Sequence, residues 1–489
     1  MRRSFFALLA FALLEASGGP VVWLGASSGN IASLSVPREW LDRSRVTADF
    51  ATEGATLSNA LVQVAGLAGV GGSDKAAVVV FCGPGDHLAS VPLGERYAVS
   101  SATVNKNGVQ TQLQRRVPLM DETTYNGRLN VLLDGLKRNY PAREVALVVL
   151  PAGAGSESAN GAGLRYVDYA SAARQAGNVW AVPVVDLSQE SGTEGDAASG
   201  KPRWKTAWRG RKMAFLGDSI TDARHIGCTS NYWNFLERDL GVVPLVYGIN
   251  GHQWKHVYGQ AESLFAAHPD DVDEIVVFAG TNDFNANVPL GDWTDDWTDG
   301  DSSFRGRIAA VVGYLKSKYP GVPIWLMTPI HRGYATFGAS NVQPDETYAN
   351  TSGLWIGDYV EVVKEAAAKY GARLIDLNAD SGLYPLFDSH VVFFHDGNTD
   401  RLHPNTAGHE RMAQAIERNF RAFALRTGDY SDDYKPFYKV APDAAALSAA
   451  SAGISSLAVA LDSRTVHVAS SRAVAFDSSG VCGGVIFVY

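Results

Sequence analysis

Five residues spread over most of the second half of the chain are of the types that acyl chemistry needs. Ser219 follows an apolar run at 213–216, in the stretch Gly217-Asp218-Ser219-Ile220. A buried strand that stops so abruptly delivers a hydroxyl to the carboxyl edge of a parallel sheet, where open α/β folds gather their sites. That hydroxyl is a weak nucleophile until a base takes its proton and donors hold the oxyanion it creates. His403 stands three residues after Asp400 in Asp400-Arg401-Leu402-His403-Pro404, the spacing of a base and its orienting carboxylate in a tight turn. Two further blocks offer donors. Gly251 closes Tyr247-Gly248-Ile249-Asn250-Gly251, where a glycine lets a backbone N–H come close to a ligand, and Asn282 in Gly280-Thr281-Asn282-Asp283 carries a side-chain amide. Taken singly, each block has an ordinary explanation as a turn or a cap. Four of them in one order, each linked to an apolar run or an amphipathic helix, point to a site.

In this order and spacing the blocks resemble those of the SGNH, or GDSL-type, serine hydrolase family, over about residues 210–425. The resemblance implies an esterase with Ser219 as nucleophile, His403 as base and Asp400 as orienting acid. Its oxyanion hole would be the N–H groups of Ser219 and Gly251 and the side chain of Asn282. Such a mechanism needs neither cofactor nor metal. The expected substrate is a short acyl ester, acetyl by preference, of a glycan or other polar small molecule. Two alternatives stay open: an acyltransferase with the same triad, and a glycan-binding or structural surface or virion protein in which the hydrolase domain is incidental.

The elements that must position these residues follow from periodicity. Apolar runs at 213–216, 242–247, 274–278, 323–327 and 373–376 alternate with helical stretches, among them 359–370 and the helix carrying Met412, Ile416 and Phe420. That alternation predicts an α/β, three-layer, doubly wound, flavodoxin-like fold. Long loops after the strands hold Trp293, Trp297, Tyr334, Phe337, Tyr348, Tyr384, Phe393 and Phe394, aromatic residues suited either to stacking on sugar rings or to small satellite cores.

The first part of the chain repeats this plan. Residues 21–28 parallel 213–220 with Ser27 facing Ser219; 50–54 parallel 247–251; 78–86 parallel 275–283; and Tyr125-Asn126-Gly127-Arg128 parallels 304–307. Gly85 takes the place of Asn282, and the copy stops after Asp186-Leu187 without an Asp-x-x-His block, so Ser27 has no base of its own and His87 is the one nearby candidate. The expectation is a tandem pair of α/β units whose first member is degenerate.

Whole-chain properties set the frame. At 489 residues the chain is too long for one ordinary core. A net charge of −9 without a basic cluster argues against nucleic acid as a partner. Three widely spaced cysteines suggest neither a disulfide framework nor a zinc site. Residues 1–19 read as a signal peptide, with a packed first helix as the alternative, so the expected location is periplasm, cell surface or medium, a cytoplasmic or virion-associated one staying open. Residues 20–190 form the degenerate unit, 191–210 a linker, 211–427 the hydrolase domain, and 428–489 a connector and small β-rich region suited to attachment to a surface or assembly. No integral membrane segment is expected. The assignment predicts that Ser219→Ala abolishes hydrolysis of p-nitrophenyl acetate while Ser27→Ala leaves it intact; equal activity of Ser219→Ala and wild type would refute it.

Overall fold

The computed structural model describes residues 21–26, 46–70, 77–141, 143–152, 158–188, 208–293, 296–298, 302–427, 456–461 and 464–469. Ser27, Cys482, Trp204, the leader 1–19, the linker over 191–207 and most of 428–489 lie outside the described residues. Among the described residues no helix is long and apolar enough to cross a membrane.

Two five-stranded parallel sheets carry the molecule. The first contains β1 (Val21–Gly25), β2 (Val46–Asp49), β3 (Ala77–Cys82), β6 (Val145–Val149) and β7 (Val184–Asp186), in the order β2-β1-β3-β6-β7. Between β3 and β6 a long antiparallel hairpin, β4 (Tyr97–Lys106) and β5 (Val109–Pro118), forms a sheet of its own. The second sheet contains β8 (Lys212–Gly217), β9 (Val243–Val246), β10 (Glu274–Phe278), β11 (Ile324–Met327) and β14 (Arg373–Ile375), in the order β14-β11-β10-β8-β9. Read by chain order within each unit, both sheets run 2-1-3-4-5. This is the doubly wound, flavodoxin-like arrangement, with its switch point between the first and third strands of each unit.

Parallel strands covered on both faces must be apolar throughout, and these are. Ala214, Leu216, Ile275, Val277, Ile324 and Leu326 face one helical layer; Met213, Phe215, Val276, Phe278, Trp325 and Met327 face the other. All are buried. Trp208, just before β8, stacks on Phe420 at 4.5 Å and so closes the second layer.

The repetition extends to individual interactions. Asp86 pairs with Arg128 at 2.7 Å and accepts the Leu57 N–H; Asp283 pairs with Arg307 at 2.8 Å and accepts the Trp254 N–H. Gln63 accepts the N–H of Gly25 at the end of β1, as Gln260 accepts that of Gly217 at the end of β8. Asn160 donates to the Tyr169 hydroxyl as Asn350 does to Tyr359, and the pair Arg174–Asp186 matches Lys364–Asp376. The units meet through Trp180, whose ring lies 5.4 Å from Tyr384, and through Asn178, which donates to Asp376.

Two local expectations need correction. Asp400–Pro404 is not a tight turn but a strand, β16, in a small antiparallel sheet with β12 (Ala335–Thr336), β13 (Val342–Gln343) and β15 (Phe394–Asp396). It forms a hairpin with β15 just before it, and the loop after β11 adds a second partner at Ala335 that local sequence does not reveal. The helix expected at 359–370 begins earlier, at Ile356, because Asp358 caps the Trp355 N–H. At the carboxyl end, β17 (Ser456–Leu461) and β18 (Arg464–Ala469) form an antiparallel hairpin.

The paired Asp86 carboxylate is almost wholly buried, so Asp86→Ala strands the Arg128 guanidinium and the Leu57 N–H. The expected cost is about 3 kcal/mol, read as a lower urea midpoint for the transition of the first unit; an unchanged midpoint would contradict it.

Candidate active site

The turn that carries Ser219 is built by exclusion of side chains. At Gly217 an added Cβ would lie 2.3 Å from the Phe278 carbonyl oxygen, so only glycine lets β8 end against β10 there. Gln260 then clamps the strand end, donating to the Gly217 carbonyl and accepting its N–H, both at 2.8 Å. Beyond it the Asp218 carboxyl accepts the Ile220 N–H at 3.0 Å, and the chain turns sharply with Ser219 at its apex, 5 % exposed.

His403 reaches this turn from β16. Its Nε2 lies 2.8 Å from Ser219 Oγ, and its Nδ1 lies 2.9 Å and 3.2 Å from the two Asp400 oxygens. Asp400 also accepts the N–H groups of Leu402 at 3.1 Å and His403 at 3.0 Å. The carboxylate thus folds back on its own strand and fixes the imidazole three residues on. An acid on Nδ1 requires that nitrogen to carry the proton, which leaves Nε2 free to accept from the serine hydroxyl. Burial opposes ionisation of Asp400, but the hydrogen bonds and charge of His403 outweigh it and hold the carboxyl below its ordinary range.

Gly251 and Asn282 stand beside the serine. Gly251 has φ +77°, a left-handed conformation suited to glycine. Its loop is held by Asp222, which accepts the Asn250 N–H at 2.8 Å. The Asn282 amide donates to the His252 carbonyl at 3.0 Å, which fixes its orientation and leaves a second N–H for a ligand. Gln260 joins the parts, since the amide that binds Gly217 also donates to His252 Nδ1 at 2.9 Å.

These groups open on a cavity of about 460 Å³. Its walls carry six carboxamides, those of Asn250, Gln253, Asn282, Asn285, Asn341 and Gln343, with Ile226, Phe337 and Leu402 as its larger apolar surfaces. Among the described residues that line it, none bears a carboxylate, ammonium or guanidinium group. Phe337 is 43 % exposed, with its ring 5.6 Å from His403.

All five sequence-derived residues therefore meet in one place. The loop aromatics divide differently: Phe337 lines the cavity, whereas Trp293 packs on Tyr370, Trp297 covers Gly313, Tyr384 is buried against Trp180, and Tyr348 lies under Arg115. These rings pack on protein and not on the cavity, Tyr384 within the core of the first unit and Trp293 against that of the second. His409, adjacent to the fourth block, is structural: burial and then the neighbouring His403 and His225 push its pKa down to about 3, and it accepts the Tyr232 N–H. Sequence reasoning missed Asp222, Gln260 and His395, whose Nδ1 lies 3.0 Å from Asp400. Asp222 sits three residues after Ser219 and His395 five residues before Asp400, so proximity was the available signal; Gln260 on its helix gave none.

The corresponding place in the first unit is closed. An added Cβ at Gly85 would lie 2.4 Å from the Ala55 carbonyl and 2.7 Å from that of Gly54, so no side chain fits where the second unit has Asn282. His87 is buried against Tyr166 and Tyr169, with Nε2 3.2 Å from the Ser158 carbonyl.

Residues 215–411 match the GDSL-like Lipase/Acylhydrolase family, and this stretch is a carboxylic ester hydrolase domain. No curated protein matches the chain. Similar solved structures include a protein from Lactobacillus plantarum at 28% identity, covering 43% of this chain and 95% of its own, with a TM-score of 0.37. A possible lipase from Chitinophaga pinensis is 19% identical, covering 45% of this chain and 99% of its own, with a TM-score of 0.36. An acetylxylan esterase from Geobacillus stearothermophilus is 23% identical, covering 43% and 94%, with a TM-score of 0.30.

Burial, opposed by the Ile220 N–H, pushes the Asp218 carboxyl up to about 7. Its protonated form is favoured in the folded state, so the stability it contributes is full below the unfolded value and lost as pH rises to about 7. Asp218→Asn keeps the acceptor for Ile220 and removes that loss. Relative to wild type, the urea midpoint of the variant should rise steadily between pH 4 and pH 7; midpoints that run parallel would contradict the assignment.

Proposed function

We propose that this acylhydrolase domain is a serine esterase that removes short acyl groups, acetyl above all, from neutral polyhydroxylated molecules such as glycans. One observation carries the substrate class: a cavity whose hydrogen-bonding wall is made of carboxamides, with no ionic group beyond the imidazole. Carboxamides both donate and accept, which suits hydroxyls, and an uncharged wall offers nothing to select a phosphate or an acidic ligand. Its apolar surfaces, those of Ile226, Phe337 and Leu402, are separate patches among the carboxamides and suit a short acyl group. A volume of about 460 Å³ is within the range of ordinary small-ligand sites.

The reaction follows from the hydrogen-bond directions. Ser219 Oγ attacks the ester carbonyl as its proton passes to His403 Nε2, and Asp400 steadies the resulting imidazolium. The carbonyl oxygen becomes an oxyanion held by the N–H groups of Ser219 and Gly251 and by the second N–H of Asn282. Collapse expels the alcohol, which leaves with the proton from His403. Water then enters, gives a proton to the same nitrogen, and attacks the acyl-enzyme; the second collapse returns the proton to Ser219 and releases the acid.

The steps weigh unequally on the residues. Ser219→Ala removes the covalent route and should lower kcat by about 10⁴–10⁶. Asn282→Ala removes one of three donors and should lower it by about 10²–10³. Acid release from p-nitrophenyl acetate, p-nitrophenyl octanoate and an acetylated glycan panel tests the rest: acetate esters should be cleaved and the octanoate should not. Equal loss in the two variants would remove Asn282 from the oxyanion hole, and a preference for octanoate would overturn the substrate class.

A further inference from the structure

The hairpin β4–β5 belongs by sequence to the first unit but not to its sheet. Its two strands pair through ten residues each in unbroken register, and Asn107 and Gly108 turn it with φ +54° and +83°. Two successive left-handed residues are what a tight hairpin turn requires, and Asn-Gly provides them at little cost. The hairpin follows the third strand of its unit, and in the second unit the segment after the third strand borders the catalytic cavity through Asn285 and Ala286. In the first unit that segment has grown into an arm that lies along the other unit.

The arm grips the second unit at two heights. Near its base, Arg116 donates its N–H to the Thr347 carbonyl and the Gln114 carbonyl accepts that of Ala349, both at 2.8 Å, while the Arg116 guanidinium lies between the rings of Tyr97 and Trp355. At its tip, the Asn107 N–H donates to the Val342 carbonyl at 2.9 Å, and an added Cβ at Gly108 would lie 2.8 Å from the Ala339 carbonyl. Lys106, 8 % exposed, donates to the Asn287 carboxamide at 3.0 Å. The tip contacts at Ala339 and Val342 fall within the segment that presents Phe337, Asn341 and Gln343 to the cavity, and Asn287 directly follows Asn285 and Ala286 on the other wall. Gln343 in turn accepts from the buried Arg332, which also donates to the Thr281 carbonyl beside Asn282.

We propose that the first unit serves the second as a positioning element: the hairpin tip sets the separation of the two cavity walls and thereby the size of alcohol the esterase accepts. Lys106 and Asn107 are positioning residues in this scheme, since they touch the walls and not the reacting atoms. The specificity half rests on the esterase reading above; the wall-holding half does not.

The test is a hairpin shortened by removal of residues 103–106 and 109–112, so that Asn107-Gly108 joins Ala102 to Leu113. Four residues leave each strand, the facing of the remaining pairs is kept, and the base contacts of Gln114 and Arg116 survive. Lys106→Met provides a milder second variant. With the shortened hairpin, kcat on p-nitrophenyl acetate should stay within about threefold of wild type while KM for glucose pentaacetate rises about tenfold, Lys106→Met falling between. Amide exchange at 341–343 should quicken while that of β8 and β10 is unchanged. Equal loss on both esters, an unchanged KM, or unchanged exchange at 341–343 would overturn the proposal. Wild-type protein that cleaves neither ester would refute the esterase reading and the specificity half with it, and the exchange measurement would still decide whether the hairpin holds the wall.

Discussion

The 2.8 Å contact between His403 Nε2 and Ser219 Oγ joins groups 184 residues apart, and much of the second unit can be understood as what that contact requires. Parallel strands with right-handed crossovers bring every strand end to one edge, so a turn after the first strand and a segment after the last can meet there. The glycine at 217 lets the first strand stop flush against its neighbour. Asp400, gripping the N–H groups of its own strand, keeps the imidazole from rotating away. None of these contacts is strong alone. Together they leave the imidazole one orientation and one tautomer.

The first unit shows what the same plan becomes without that constraint. Its sheet order, its buried aspartate–arginine pair and its glutamine clamp are retained, because they hold strands and helices together and serve stability. The place that Asn282 takes in the second unit has been filled by backbone. Packing features and chemical features have thus separated between two copies of one plan, and the repeated interactions identify the packing set.

Much of the fold was legible in the sequence because its strands are continuous apolar runs, a pattern only doubly covered parallel strands need. The five site residues were legible because each is adjacent to a strand end or to a helix that periodicity locates. The supporting shell was not. Gln260 sits on a helix with no local mark of its role, and Asp400–Pro404 is a strand because it pairs with Phe394–Asp396 just before it and with Ala335, far off in the chain. The β4–β5 hairpin carried an Asn-Gly turn signal between alternating residues, yet its destination on the other unit is a long-range property that no local pattern encodes. The loop aromatics were undecided for the same reason, as stacking platform and satellite core differ only in what the ring touches.

The central claim is that Ser219 is an activated nucleophile because His403 accepts its proton. The most direct test is intact-mass and peptide-mapping analysis after exposure to diisopropyl fluorophosphate, for wild type and His403→Ala. The account predicts one phosphoryl adduct, on Ser219, formed rapidly in wild type and at a rate lower by orders of magnitude in the variant. An adduct elsewhere, or equal labelling of Ser219 with and without the imidazole, would contradict it.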